Sequence, residues 1–325
     1  MNILEVSDLK VYYETKKGVV KAVDGVDLIV KKGTSVGLAG ESGCGKTTLG
    51  LSFLKLLPSN GKIVNGSMMY DGKDLYAYEE EEFREKVRWN HISMIFQGAM
   101  NALNPVFKVE DQIAEAIKLH DKNKKKKERI ELARDLLKKV EIEPMMGSHY
   151  PHEFSGGMRQ RAMVAMALAC DPELVIADEP TTALDVIVQK QLMDLLRKLK
   201  SEMDLSLIVI SHDISVLAEL CDYLNIMYAG RIVEWGDIEE VFSSPAHHYT
   251  HGLISTFPTV EDEERKKTFE YIEGAPPNLI DPPNGCRFYP RCSRATEICK
   301  KDPAPDMMEI RKNHFVACHH PRGVD

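Results

Sequence analysis

A glycine-rich stretch constrains the fold of this chain more than any other feature of its sequence. Residues 40–47 read GESGCGKT, which fits the phosphate-loop pattern G-x-x-x-x-G-K-S/T. They follow an apolar run that predicts a strand over 36–39, and they open a helical pattern from about 46 to 57. Glycines let such a turn curl until successive backbone N–H groups point at phosphate oxygens. Taken alone, the pattern indicates a P-loop nucleoside triphosphatase and no narrower class.

The members of this loop have separable predicted roles. We expect Lys46 to reach the β- and γ-phosphates of ATP, and the Thr47 hydroxyl to bind Mg²⁺. The N-terminus of the following helix adds a partial positive charge that favours phosphate. The residues expected to surround the nucleotide here are Gly40, Ser42, Gly43, Cys44, Gly45, Lys46, Thr47 and Thr48.

A second apolar run ends in two carboxylates. Residues 174–180 read LVIADEP, which predicts a strand whose end carries Asp178 and Glu179. Asp178 is placed to hold Mg²⁺ through water, as the acidic residue of other P-loop proteins does. Glu179 is the natural general base for an attacking water, a role worth about 10²–10⁴ in rate. A strand that simply ends in an acidic turn is the alternative, but the chain continues as a longer motif, DEPTTALD.

Helical and strand patterns alternate along most of the chain. Apolar runs of strand length span 92–96 and 205–210. A helical pattern over 187–201 lies between the acidic strand and the run at 205–210. The stretch 105–170 is almost purely helical, and the first 33 residues are typical of short strands. Strands that alternate with helices predict an α/β domain with a parallel sheet and right-handed crossovers.

A third motif identifies the type of P-loop protein. Residues 154–161 read FSGGMRQR and precede the acidic strand, so Ser155 should cap a helix whose first N–H groups are unpaired. Together with DEPTTALD this resembles the ABC ATPase family, whose signature is LSGGQ-like. The resemblance implies a P-loop ATPase with a mixed sheet core, an N-terminal antiparallel β region and a helical signature subdomain at about 100–170. It also implies that Ser155, Gly156 and Gly157 bind the γ-phosphate held by the opposite subunit.

Further positions match the same family. Gln97 resembles the glutamine that senses Mg²⁺ and water, Asp185 the acidic member of a loop at the dimer interface, and His212 the histidine that hydrogen-bonds the γ-phosphate. Tyr13 would stack on adenine, with neighbouring Tyr12 as its rival. The resemblance thus assigns catalysis to Glu179, His212, Gln97 and Lys46, and Mg²⁺ binding to Thr47, Gln97 and Asp178. It implies that ATP closes two subunits, that hydrolysis reopens them, and that this opening moves membrane partners.

The branch of the family is indicated by four longer stretches. FSGGMRQR, IFQGAMNALNP, HHYTHGLIST and EGAPPNLIDPPNGCRFYPRC resemble the oligopeptide and dipeptide permease ATPases, and the similarity spans essentially the whole chain. This implies peptide import by a complex of a second related ATPase subunit (or a second copy), two transmembrane permeases and an extracytoplasmic substrate-binding protein. The chain would then sit on the cytoplasmic face of the cell membrane, bound through the permeases. Some members of the branch import nickel or other small solutes, which is the alternative.

The composition changes near residue 258, and four of the seven cysteines lie beyond it. We therefore predict an ATPase domain over 1–257 and a C-terminal module over 258–325, joined through a polar linker at 260–267. Five, six and eighteen residues separate the successive cysteines of the tail, so the spacing leaves an iron–sulfur cluster, a zinc site and unligated thiols open. The resemblance favours a four-iron (4Fe-4S) cluster, with zinc as the alternative in the same site. The sequence does not distinguish electron transfer, redox sensing and a structural role for it, of which we favour the structural role. The expected ligands are Cys286, Cys292, Cys299 and Cys318.

Three arginines lie among these cysteines. Arg287, Arg291 and Arg294 would either offset the negative charge of a thiolate-bound cluster or be ordinary surface residues. The sequence alone leaves both readings open.

Charge and hydropathy exclude other functions. The formal net charge is −8 and no basic stripe is evident, which argues against a nucleic-acid partner. The rival classes are a soluble ABC ATPase acting on nucleic acid, whose families carry coiled-coil insertions or two cassettes, and an iron–sulfur redox protein, which would need open coordination or a second redox centre. No run approaches the roughly 18 apolar residues of a membrane span, and the N-terminus lacks a secretory pattern, so we expect a cytosolic protein.

Overall fold

The computed structural model describes residues 1–98, 102–256 and 272–323. Its strands are β1 (Asn2–Thr15), β2 (Gly18–Lys31), β3 (Ser35–Ala39), β4 (Gly61–Tyr70), β5 (Lys73–Asp74), β6 (Ile92–Ile95), β7 (Leu174–Asp178), β8 (Ser206–Ile210), β9 (Tyr223–Tyr228), β10 (Arg231–Asp237), β11 (Met308–Arg311) and β12 (His314–Val316). Its α-helices are α1 (Lys46–Phe53), α2 (Glu80–Lys86), α3 (Val109–His120), α4 (Lys126–Lys139), α5 (Gly156–Ala167), α6 (Val186–Met203), α7 (Ile214–Leu220), α8 (Ile238–Ser243), α9 (His248–Ser255) and α10 (Glu297–Lys301).

The chain divides into two compact units. The first comprises Met1–Ile3, Val30–Thr34 and Gly72–Ile210. The second comprises Leu4–Ile29, Ser35–Asp71 and Ser211–Asp325. The predicted domain boundary at 257/258 and the linker at 260–267 lie outside the described residues and remain predictions.

The first unit is built on three parallel strands. β7 lies between β6 and β8, with Leu174 opposite both Ile92 and Ser206. Every residue of β6, β7 and β8 is buried, as expected for parallel strands covered on both faces. Helix α6 buries Leu192, Leu195, Leu196 and Leu199, whose spacing forms one apolar stripe.

Three helices, α3, α4 and α5, account for most of the stretch that the sequence predicted to be helical. Ile113 of α3 and Leu137 of α4 are fully buried, and Arg134 of α4 donates to Glu110 of α3 at 2.7 Å. Short 3₁₀ turns and loops separate α4 from α5, so the predicted region of 105–170 is interrupted rather than continuous. The interruptions include Pro144 and Pro151, each at the start of a 3₁₀ turn where the missing N–H is tolerated.

The second unit contains an antiparallel sheet and a mixed group of strands. In the antiparallel sheet, β1 pairs antiparallel with β4, and β2 borders β1 on the other side. In the mixed group, β9 runs parallel to β3, while β10 is antiparallel to β9, β12 to β10 and β11 to β12. The predicted strand at 36–39 is thus present as β3, and the helix predicted to reach Leu57 ends at Phe53, where the chain turns through Lys55 at φ +52°.

The tail joins this unit through β12. Trp235 of β10 stacks on Phe315 of β12 with ring centroids 4.3 Å apart. Next to this stack the fully buried His314 Nε2 lies 2.7 Å from Glu234 Oε1. The tail is therefore continuous with the strands of the second unit. Among the described residues, no helix has the length and apolar character needed to cross a membrane.

Candidate functional site

The phosphate loop connects β3 to α1, and two of its glycines are required by its geometry. Gly40 and Gly45 have φ of +151° and +110°, a region that side chains rarely adopt. A Cβ at Gly40 would lie 2.1 Å from the carbonyl oxygen of Met227, and one at Gly45 would lie 2.1 Å from that of Ala22. The loop is therefore packed too closely against neighbouring backbone for any other residue at these two positions.

Lys46 is folded back onto the loop that carries it. Its Nζ donates to the carbonyl oxygens of Gly40 at 2.6 Å and Glu41 at 3.1 Å, and the residue is buried. Binding of phosphate in the predicted way requires Lys46 to exchange these carbonyl partners for phosphate oxygens. Cys44 is also buried, and burial raises the pKa of its thiol, so the cysteine behaves as a packing residue.

The two candidate adenine-stacking tyrosines have different partners. Tyr12 donates its hydroxyl to Asp24 at 2.6 Å, and burial followed by this hydrogen bond raises its pKa to about 12. The Tyr13 hydroxyl lies 3.1 Å from Thr48 Oγ1, directly beside the phosphate loop, and its ring packs against Gly61. Tyr12 is thus committed to Asp24, whereas Tyr13 borders the predicted nucleotide site.

The acidic pair lies at the carboxyl end of β7. Asp178 is buried, and Glu179 follows it with φ +50°, an uncommon conformation for a residue with a side chain. The Glu179 N–H donates to Ile210 O at 2.9 Å, and the Thr182 hydroxyl donates to Glu179 Oε2 at 3.1 Å. These contacts hold the carboxylate just beyond the strand end. Left-handed residues of this kind concentrate at functional sites.

The SGG motif forms the start of α5, as predicted. Ser155 is the N-cap residue, and its hydroxyl accepts from Met158 N at 3.2 Å. Arg159 donates to Phe154 O at 2.8 Å, and the Phe154 side chain is buried, so the approach to the helix is anchored. A Cβ on Gly157 would lie 2.7 Å from Val188 Cγ1, which explains a second glycine here. Ser155 is exposed, and Gly156 and Gly157 are partly exposed.

The remaining predicted residues lie at strand ends and a helix start. Asp185 caps α6 by accepting from Val188 N at 2.9 Å. Gln97 is exposed, two residues beyond β6. His212 is also exposed; it follows Ser211, whose N–H donates to Leu38 O of β3 at 3.2 Å, and it precedes the N-cap of α7.

The two units therefore divide the predicted site residues between them. The first unit carries Gln97, Ser155, Gly156, Gly157, Asp178, Glu179 and Asp185. The second carries Tyr13, the phosphate loop, His212 and the four tail cysteines.

The four tail cysteines line one small cavity. The histidines around it are His247, His248, His319 and His320, and its other walls are Phe288, Tyr289 and Arg294. Burial raises the pKa of Cys286 and Cys292, and raises that of Cys318 to about 12, each with a further increase from neighbouring cysteines. Within the described ranges no three His, Cys, Asp or Glu side chains form a group that would hold a single metal ion.

His247 contributes a buried ring nitrogen to this cavity wall. Its Nδ1 accepts from Tyr249 N at 3.0 Å, so the neutral ring carries its proton on Nε2. Burial lowers the pKa of His247 to about 4, which keeps the ring neutral. Nε2 has no hydrogen-bond partner among the described residues. A buried donor without a partner is costly, so a group that accepts from it would be stabilised here.

Three residues to which the sequence assigned no part in the nucleotide site contact the phosphate loop or the Asp24 that holds Tyr12. Arg291 pairs with Glu41 of the phosphate loop, Tyr249 accepts from the Glu41 N–H at 2.8 Å, and Arg287 pairs with Asp24. Both arginines are nearly buried, so they are not ordinary surface residues, whereas Arg294 is exposed. Nothing in local spacing could predict the pairs, because 250 positions separate Glu41 from Arg291.

Comparison with known proteins adds the family. A family model described as "ABC transporter" matches residues 23–182, and one described as "Oligopeptide/dipeptide transporter, C-terminal region" matches residues 233–299. The oligopeptide transport ATP-binding protein OppD of Escherichia coli (strain K12) is 44% identical over 322 residues, covering 98% of this chain and 93% of that protein. The dipeptide transport ATP-binding protein DppD of Caldanaerobacter subterraneus is 40% identical over 318 residues, with coverages of 98% and 96%.

A solved structure supports the same fold. The dimeric post-hydrolysis state of the ATP-binding cassette MJ0796, bound to ADP and Pi, has a TM-score of 0.64 and 28% identity. The similarity covers 72% of this chain and 98% of the MJ0796 chain. The P-loop fold with a mixed sheet and helices is thereby confirmed.

Proposed function

This chain belongs to the family of ABC transporter ATP-binding proteins, and we propose that its ATP hydrolysis drives the import of oligopeptides or dipeptides across the cell membrane. Family membership confirms the resemblance that the motifs carried, and ATP hydrolysis coupled to transport follows from it. The observation that carries the peptide assignment is the similarity of nearly the whole chain, tail included, to relatives named as peptide transporters.

ATP binding is assigned to the phosphate loop and Tyr13. The loop supplies backbone N–H groups, Lys46 neutralises the β- and γ-phosphates, and Tyr13 stacks on adenine. The position of Tyr13 beside Thr48, with Tyr12 committed to Asp24, supports this choice.

Hydrolysis is assigned to the residues beyond the sheet strands. Thr47, Gln97 and, through water, Asp178 would hold Mg²⁺, and the ion would offset charge on the phosphates. Glu179 takes a proton from the attacking water, and His212 hydrogen-bonds the γ-phosphate. The strained backbone of Glu179, held by Ile210 and Thr182, supports a role that needs a fixed carboxylate.

The complete site requires two ATPase subunits. Ser155, Gly156 and Gly157 bind the γ-phosphate held by the opposite subunit, and Asp185 lies at the dimer interface. Exposure of Ser155 at the start of α5 supports this, because the unpaired N–H groups there can receive an oxyanion. The partner is a second related ATPase subunit or a second copy of this chain. Two permeases and an extracytoplasmic binding protein complete the complex, which holds this chain at the cytoplasmic face of the membrane.

The tail cavity fits a cysteine-ligated cluster. Four thiols line it, and the buried Nε2–H of His247 is a donor for which cluster or thiolate sulfur would be an acceptor. A tetrahedral zinc site would place its thiolates roughly 3.8 Å apart, given Zn–S bonds of about 2.3 Å. The resemblance to the peptide-permease branch favours the larger 4Fe-4S cluster, and zinc is the alternative occupant for the four thiols that line this cavity.

Metal analysis distinguishes the two occupants. We expect protein purified without oxygen to be brown and to contain about four irons and four acid-labile sulfides per chain. Colourless protein with one zinc per chain would replace the cluster by a zinc staple and leave the ATPase assignment intact.

Transport is tested in the assembled complex. In vesicles containing the permeases, the binding protein and both ATPase subunits, we expect ATP-dependent uptake of a labelled peptide and no uptake of ⁶³Ni²⁺. Uptake of nickel instead of peptide would overturn the substrate assignment. The same complex assembled with the Glu179→Gln variant is the matched inactive control.

A further inference from the structure

The phosphate loop is held from outside by a residue of the cysteine-rich tail. Arg291 Nη1 donates to Glu41 Oε2 at 2.7 Å, and Nη2 donates to Oε1 at 2.9 Å, which makes a bidentate ion pair. Glu41 is the second residue of the phosphate loop, and Arg291 immediately precedes Cys292. This pair therefore connects the tail directly to the predicted phosphate site.

The guanidinium of Arg291 is anchored by groups other than Glu41. It donates to the carbonyl oxygen of Glu273 at 2.9 Å and to the Tyr228 hydroxyl at 3.3 Å, and it lies 5.8 Å from the centroid of the Tyr228 ring. The Arg291 side chain is only 6% exposed, against 24% for Glu41. The arginine is the more buried partner and has these further anchors, so the pair orients the Glu41 carboxylate.

Glu41 is restrained at its main chain as well. Its N–H donates to the Tyr249 hydroxyl at 2.8 Å, and its carbonyl oxygen accepts from Lys46 Nζ at 3.1 Å and Cys44 N at 3.3 Å. The conformation of the loop, and the carbonyl on which Lys46 rests, thus depend on where Glu41 is held.

The charge of Glu41 gives the pair a second consequence. An uncompensated carboxylate in the phosphate loop would repel the triphosphate, and this repulsion is weakly screened where groups are partly buried. The planar fork of arginine neutralises the carboxylate and fixes its orientation at the same time, which a lysine does not do.

We propose that Arg291 is a positioning residue for the nucleotide site, through which the tail raises the affinity of the phosphate loop for ATP. Arg291 sets the orientation of Glu41 and neutralises its charge, and contacts no reacting atom itself. The inference rests on the proposed function, because it requires that the loop binds ATP phosphates.

The test measures MgATP binding to the full-length chain by calorimetry. We expect Arg291→Ala to raise the dissociation constant about tenfold, equivalent to 1.4 kcal/mol, and Arg291→Lys to give an intermediate value. In a Glu41→Gln background, Arg291→Ala should change the constant by less than about twofold, because no carboxylate remains to be positioned or neutralised. Arg311→Ala, an exposed arginine of the same tail, is the matched control.

Thermal unfolding and iron content of each variant separate this role from simple stabilisation. If Arg291→Ala lowers the melting temperature but binds MgATP like the parent, the pair is structural only and the proposal fails. An equal loss of affinity with and without the Glu41 carboxylate would also overturn it, since Arg291 would not act through Glu41. A parent protein that neither binds nor hydrolyses MgATP would instead overturn the proposed function.

Discussion

At the scale of single residues, Glu179 has a backbone conformation that few residues with a side chain adopt. Its φ is +50°, and the conformation is held by Ile210 O on its N–H and by the Thr182 hydroxyl on its carboxylate. Such strain persists only where the surroundings enforce it.

Replacing this carboxylate by an amide tests the assignment of the base. We expect Glu179→Gln to bind MgATP with unchanged affinity but to hydrolyse it about 10²–10⁴ times more slowly, because the amide cannot accept the proton. It should also accumulate a nucleotide-bound dimer on size-exclusion chromatography. Glu173→Gln, just before the other end of β7, is the control. Undiminished turnover in Glu179→Gln would refute the assignment.

The two neighbouring tyrosines give a second prediction at this scale. Tyr13→Ala should raise the dissociation constant for ATP about 5- to 150-fold, the range expected when a base loses an aromatic stacking partner. Tyr12→Phe should leave that constant unchanged and lower the free energy of unfolding by about 1 kcal/mol, because it loses only the hydrogen bond to Asp24. For both variants, fluorescence titration with ATP measures the dissociation constant, and urea unfolding measures the free energy of unfolding. Because a phenylalanine ring at position 12 could still stack, Tyr12→Ala tests the alternative, and a larger affinity loss in Tyr12→Ala than in Tyr13→Ala would exchange the two roles.

At the scale of secondary-structure elements, the start of α5 has an observed structural role and a proposed functional one. The Ser155 hydroxyl caps the helix, and its exposure leaves it accessible to a second subunit. Loss of an N-cap hydroxyl costs about 0.5–2 kcal/mol of stability. A role in the dimer would add an effect that a cap alone does not produce.

Ser155→Ala separates the two roles. We expect a stability loss of about 1 kcal/mol by urea unfolding, together with loss of ATP-dependent dimerisation in the Glu179→Gln background. Ser148→Ala, which removes a local hydroxyl contact outside the motif, is the control. Retention of the ATP-dependent dimer would restrict Ser155 to capping.

The junction of β10, β12 and the start of α9 depends on one buried carboxylate. Glu234 accepts from Ala246 N at 2.8 Å and His247 N at 2.7 Å, and His314 Nε2 lies 2.7 Å from it. Because Glu234 and His314 are fully buried, loss of one partner leaves a polar group that water does not reach.

Substitution of His314 tests this junction. We expect His314→Ala to lower the free energy of unfolding by about 3 kcal/mol, and His314→Gln, which retains an N–H donor, to lower it less. Urea unfolding followed by circular dichroism measures both. Equal losses in the two variants would mean that packing, rather than the hydrogen bond, stabilises the junction.

At the scale of the whole molecule, the tail is part of the second compact unit. It extends the strands through β12 and reaches the phosphate loop through Arg291. Arg287, next to Cys286, similarly pairs with Asp24, the partner of Tyr12. Arg287 and Arg291, each next to a predicted cluster ligand, thus contact residues in or beside the predicted nucleotide site.

Removal of one cavity thiol should therefore affect more than the cluster. We expect Cys318→Ser to lower iron and sulfide to well below four per chain and to lower the melting temperature, because a serine hydroxyl is a poor iron ligand. Cys170→Ser is the control, since Cys170 does not line the cavity. Full iron content in Cys318→Ser would remove Cys318 from the ligand set.

The positions of the local motifs were predictable because each depends on short-range geometry. The phosphate loop needs glycine where φ is positive and neighbouring backbone is close, as at Gly40 and Gly45. The SGG cap and the acidic strand end likewise arise from the backbone within a few residues. These patterns by themselves identify an ABC ATPase and its branch, and they include the glycines, the cap and both carboxylates.

Tertiary structure alone decided the partners of these motifs. Arg291 pairs with Glu41, Tyr12 donates to Asp24, and Arg287 is buried. No local spacing in the sequence predicts any of these three outcomes. Charged and aromatic side chains accept many partners, so their choice depends on which surfaces the folded strands bring together. Hydrophobic periodicity in the sequence indicates only which face of a helix or strand a residue occupies. The sequence by itself therefore determined the family and the positions of its motifs, whereas the fold determined how the tail holds the phosphate loop.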